Sequence, residues 1–83
     1  MNEIHYLNEL APGDRACVLS LGLDGETARR LTQLGMTAGV PVTCLQRAPA
    51  GDPTAYQFQG VTVALRRDAA GRIQVEGISH ARP

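Results

Sequence analysis

Leu34-Gly35-Met36-Thr37-Ala38-Gly39-Val40-Pro41-Val42, followed after six residues by Pro49-Ala50-Gly51-Asp52-Pro53, is the stretch whose reading decides the fold. Before it, Ala28, Leu31 and Leu34 recur every three residues and form one apolar stripe of a helix. Asp24 is placed to cap that helix by accepting first-turn amides, and Glu26 suits the positive end of its dipole. Gly35 is the left-handed stop, with Met36 folding back on the last turn. A helix of about ten residues is marginal alone, so a sheet must hold it. After Gly39 the period changes from 3.6 to 2: Val40, Val42 and Cys44 alternate with Pro41, Thr43 and Leu45. Pro41 cannot donate to a ladder and belongs at a strand start or an edge.

Working outward, Pro12-Gly13-Asp14 is a turn, and Arg15 to Leu21 reads as a strand that Gly22 ends. Ala55 to Gln59 forms another strand, with Tyr56 and Phe58 on one face. Gly60 turns the chain into Val61 to Arg66, whose inward positions are Val61, Val63 and Leu65. Asp68-Ala69-Ala70-Gly71 is a second turn, Ile73 and Val75 mark a last strand, and Ser79 to Pro83 form a loose tail. About five short strands with turns between them suit a closed or nearly closed barrel, and closure would remove aggregation-prone edges. The expected fold is therefore mainly β: a small SH3-like barrel with one short inserted helix. An open α+β sheet is the alternative.

Eighty-three residues make a single domain, 1–83, with one small core. The formal charge is zero, eight arginines against eight acids with no lysine, so the positive field that drives non-specific nucleic-acid binding is missing. No apolar run is long enough to span a bilayer, and the N-terminus does not read as a secretory signal, which points to a cytoplasmic protein. In that compartment Cys17 and Cys44 stay reduced, and both read as small buried hydrophobes rather than metal ligands. No phosphate loop, catalytic triad or paired carboxylates can be found, so the chain does not read as an enzyme. Arg29-Arg30 and Arg66-Arg67 are adjacent pairs. On a strand, Arg66 and Arg67 would point to opposite faces and could not serve one surface.

His5 and His80 lie near opposite ends, and the ends of small domains often meet. Glu9 is four residues from His5, and Glu76 is four from His80. Histidine with carboxylate suits zinc or ferrous iron, so these four are the candidate metal ligands. Two exposed terminal histidines also need no explanation. No cofactor is called for, and a zinc or iron ion held there would be adventitious or bridge two copies as a homodimer.

Arg30-Leu31-x-x-Leu34-Gly35-Met36-x-x-Gly39, the strand Val40 to Arg47, Ala48-Pro49-x-Gly51-Asp52-Pro53 and Val63-Ala64-Leu65-Arg66 together resemble the FeoA family of ferrous iron transport accessory proteins. The resemblance runs from about Leu7 to Glu76, leaving His5 and His80 outside it. It implies an SH3-like barrel without established enzymatic activity, accompanying FeoB, a membrane permease with a cytosolic GTPase domain. The function so implied is to bind that permease and to regulate or assemble it. Arg29, Arg30 and Gln33 on the helix, with Asp52 in the loop, are the candidate partner surface. A metal-binding or metal-sensing module, akin to the C-terminal domain of iron-dependent repressors, is the alternative.

Overall fold

The computed structural model of the chain describes residues 3–80. Six antiparallel strands form one sheet in the order β1-β6-β2-β3-β4-β5. They are β1 His5–Tyr6, β2 Arg15–Leu21, β3 Pro41–Arg47, β4 Thr54–Phe58, β5 Val61–Leu65 and β6 Ile73–Ser79. Helix α1, Gly25–Leu34, is inserted between β2 and β3. Buried side chains from β2 to β6, α1 and the segment before β2 join in one core. A sheet in which five strands feed one core has wrapped around it, as the alternating pattern predicts. The five longer strands are those expected; the two-residue β1 is an addition.

The α1 terminus is built as its sequence dictates. Gly35 has φ 111°, and its amide bonds the Thr32 carbonyl at 3.1 Å. The Met36 amide reaches back to Leu31 at 2.9 Å, completing a Schellman stop. Met36 and Leu31 are both fully buried, so the backbone closure also delivers two side chains to the core. The stripe is narrower than expected, because Leu34 is exposed and Ala28 only half-buried. The start of the helix differs as well. Asp24 occupies the N-cap position with extended backbone, but its carboxylate makes no capping bond. Gly25, at φ 76°, turns the chain between that carboxylate and the first-turn amides.

Two short helical pieces escape a periodicity search. Leu7–Glu9 forms a 3₁₀ turn, and Arg67–Ala70 forms a four-residue helix, α2, where a simple turn was expected. The two pack together: Asn8 Nδ2 approaches the Arg67 carbonyl at 3.5 Å, and a Cβ on Gly71 would meet that nitrogen at 2.9 Å. Leu7 and Leu10 are fully buried. The buried Tyr56 hydroxyl donates to the Leu7 carbonyl at 3.4 Å, and burial pushes its phenol up to about 12. Burial likewise raises the thiol of Cys44. Both are core groups.

Four further expectations need correction. Cys17 is exposed, because β2 alternates and buries Ala16 and Val18 instead. Val61 and Val63 face the interior but stay half-buried, since β5 is an edge strand with nothing beyond it in the sheet. Ser79 is no tail residue: it ends β6 and pairs with Arg15. The remainder of the expected loose tail, 81–83, lies outside the described residues. Finally, β5 stops at Leu65, so Arg66 and Arg67 are not strand neighbours on opposite faces.

Replacing Leu7 with Ala removes a fully buried side chain where the 3₁₀ turn, β4 and α2 meet. A loss of about 2–5 kcal/mol is expected from urea unfolding. A loss below about 0.5 kcal/mol, within the range of a surface substitution, would show that the turn is not anchored through this residue.

Candidate functional site

Placing β6 between β1 and β2 decides which side chains meet. His5 pairs with Val75 across β1 and β6, and Cys17 pairs with Glu76 across β2 and β6. The 3₁₀ turn then carries Glu9 back toward His5. A depression of about 720 Å³ results, lined by Glu3, His5, Glu9, Cys17, Glu76 and His80 among others. All four candidate metal ligands therefore share one groove, although they come from opposite ends of the chain. The exposed thiol of Cys17 joins them, which the expected burial of that residue had hidden. Strand alternation around Ala16 and Val18 was the signal that could have found it.

Within the groove the expected pairings divide. His5 Nδ1 lies 2.9 Å from Glu9 Oε1, and the other carboxylate oxygen accepts the Tyr6 amide at 2.7 Å. Glu9 thus closes the 3₁₀ turn and orients the imidazole at once. His80 does not pair with Glu76. Its Nδ1 lies 3.1 Å from Asp14 Oδ2, an oxygen that also accepts the Ala11 amide at 2.9 Å. Asp14 is only 4% exposed, a buried carboxylate at the turn before β2. Among the described residues no three of His, Cys, Asp and Glu are gathered closely enough to hold one metal ion.

The hydrogen bond to Glu9 is the largest cause holding His5 above its ordinary 6.5; desolvation opposes it, and the charges of Glu9 and Glu3 add to it. Glu9 is held below its ordinary 4.5 chiefly by the His5 bond and then by the Tyr6 amide. The signs follow from linkage. The raised His5 stabilises the fold fully below 6.5 and loses that contribution as pH rises through its folded value. The lowered Glu9 contributes above 4.5 and loses it as pH falls through its own. The pair is complete between those limits.

The candidate partner residues are not gathered in one place. Arg29, Arg30 and Gln33 are exposed on α1, where Arg29 pairs with Glu26 at 3.7 Å. Asp52 lines a second depression, of about 630 Å³, with Asn8, Arg66, Arg67, Asp68 and Arg72, and no α1 residue lines it. That basic depression was invisible in the sequence while Arg66 and Arg67 were assigned to a strand.

The His5 imidazole is expected to titrate above 6.5 by NMR, and Glu9→Gln to bring its midpoint down toward that value. An unchanged midpoint in the variant would assign the shift to another group.

Comparison with known proteins agrees with this architecture. A family model described as the FeoA domain matches residues 5–77. An Fe(2+) transport protein A/Fe(2+) transporter FeoB fusion protein from Porphyromonas gingivalis is 37% identical over 73 residues; these cover 88% of this chain and 9% of that protein. The solution structure of FeoA from Chlorobium tepidum superposes with TM-score 0.82 at 38% identity, covering 87% of this chain and 69% of that one. The zinc complex of FeoA from Stenotrophomonas maltophilia, described as a prokaryotic SH3 domain protein, gives 0.80 at 30% identity over 94% and 99%. The same fold recurs at 21% identity in a manganese-dependent transcriptional repressor, with TM-score 0.77 over 92% of this chain and 42% of that one. The fold is thus the SH3-like barrel that the strand pattern predicts. Among the described residues, no helix is long and apolar enough to cross a membrane.

Proposed function

The chain belongs to the FeoA domain family, and from that premise we propose that it is a cytoplasmic accessory protein of ferrous iron uptake that binds a FeoB-type permease. It would regulate or assemble that permease through its cytosolic GTPase part and catalyse no reaction itself. One observation carries the reading: in the Porphyromonas gingivalis relative, the corresponding 73 residues are joined in one polypeptide to a FeoB transporter. Tethering raises effective concentration into the millimolar range when a linker is short and flexible. Such a fusion is useful when the two parts act on each other. The chain spans 9% of that relative. The exposed face Arg29, Arg30 and Gln33 is the proposed contact; Asp52, in the second depression, lies apart from it.

The cytosolic domain of the FeoB-type permease from the same organism is expected to retain the chain in a pull-down. Reversing charge at Arg29 and Arg30 should weaken capture. Absence of binding both with and without guanine nucleotide would refute the reading, and intact capture by the reversed variant would move the contact elsewhere.

A second reading is favoured by the acidic groove. His5, Glu9, Glu76 and His80 share it, and the Stenotrophomonas maltophilia relative is described in complex with zinc. The donors of one chain are too dispersed for a closed site. A zinc or iron ion would then be completed by a second copy, as a bridged homodimer. Calorimetric zinc binding should fall when His5 and His80 are both replaced with Ala; unchanged binding removes this site.

A further inference from the structure

Arg66, Arg67 and Arg72 come together because a short helix separates two strands. Arg66 follows the last residue of β5, Arg67 opens α2, and Arg72 immediately precedes β6. All three are exposed and line the depression shared with Asn8, Asp52 and Asp68. None of the three guanidinium groups makes a hydrogen bond or ion pair with a described residue. Arg29 pairs with Glu26, and Arg47 donates to the Leu10 carbonyl at 2.8 Å, while Arg15 and Arg30 also make no such contact with a described residue; the three differ in sharing one depression. Three like charges around one depression repel one another, and the carboxylates of Asp52 and Asp68 in the same lining offset them only in part.

The two carboxylates in the lining each engage a backbone amide through one oxygen. Asp52 Oδ1 accepts the Arg67 amide at 2.9 Å, and Asp68 Oδ1 accepts the Ala69 amide at 2.9 Å. The amides of Ala70, Gly71 and Arg72 are bonded to the carbonyls of Arg66, Arg67 and Ala69. The backbone donors that would cradle a phosphate at such a turn are therefore largely occupied. What remains free are planar guanidinium forks on long stems around an open depression. That geometry suits several separate carboxylates, each taken bidentately.

We propose that the Arg66, Arg67 and Arg72 depression docks an acidic peptide segment of a protein partner, its aspartate or glutamate carboxylates pairing with the three guanidinium groups. The chain is formally neutral, so the attraction is local and not a property of net charge. The proposal stands apart from the permease reading. Capture of an acidic segment through these arginines holds whether or not a FeoB-type domain binds.

A fluorescein-labelled hexaglutamate peptide provides the probe, read by anisotropy and by amide NMR shifts on the whole chain. Shifts are expected at Arg66 to Arg72 and Asn8, with affinity falling as salt is raised toward about 0.15 M. Replacing Arg66 and Arg72 with Ala should weaken binding about tenfold, the size expected for losing charge-assisted pairs. The charge-matched Arg15→Glu variant, which lowers net charge by the same two units at an exposed residue outside the depression, should bind almost as the native chain does. Both variants alter exposed side chains alone, and a shared thermal midpoint confirms their folding. Equal loss in the two variants would reduce the effect to net charge and overturn the proposal. So would shifts confined to α1, or inorganic phosphate moving the same resonances at concentrations as low as the peptide. Self-association of the native chain abolished by Arg66→Ala/Arg72→Ala would assign the depression to a second copy and overturn it too.

Discussion

The structure turns on the seating of Leu7. Its side chain is fully buried, and its carbonyl accepts the Tyr56 hydroxyl from β4. Because Leu7 points inward, the next two residues of its 3₁₀ turn are aimed at different surfaces. Asn8 meets α2 at the Arg67 carbonyl, and Glu9 meets His5. One apolar contact thereby fixes the side wall of the basic depression and the hydrogen-bonding partner of the acidic one. Neither site is built by its own charges, since exposed ion pairs contribute little by themselves. Packing places them.

That division explains how a chain of zero formal charge can present two distinct electrostatic surfaces. Glu3, Glu9 and Glu76 collect where β1, β2 and β6 lie side by side, while Arg66, Arg67 and Arg72 collect where β5 hands over to β6. At physiological salt the screening length is about 8 Å, so a partner senses the nearest cluster far more than the sum. Net charge argues against a general polyanion binder. It carried no information about local binding.

Legibility in the sequence followed the range of the interactions involved. Gly35, Met36 and the alternation of Val40, Val42 and Cys44 act within a turn or a strand, so their roles could be read directly. The strand pairings over β2 to β5 follow from the same local signals. The 3₁₀ turn and α2 are too short to show a period, and with them went the correct placement of Arg66 and Arg67. Asp68-Ala69-Ala70 is as good a helical turn as a loop, and only the contact with Asn8 decides between them. His5 with Glu9 was visible because the two are four residues apart. His80 with Asp14 was not, since β6 must first be laid against β2 before those side chains meet.

The buried titratable groups complete the physical picture. Tyr56 and Cys44 are held protonated by burial, which suits packing and removes both from acid–base work near neutral pH. The groups left free to respond to solvent or to a partner are those of the two depressions and of α1. In the acidic groove the described donors of one chain fall short of a closed metal site, and in the basic one three guanidinium groups outnumber the two carboxylates beside them. Both surfaces are incomplete in the same sense, because each presents groups that the isolated domain does not satisfy. A barrel this small has little interior to spare for chemistry, so unsatisfied surface groups are where a partner's contribution would enter.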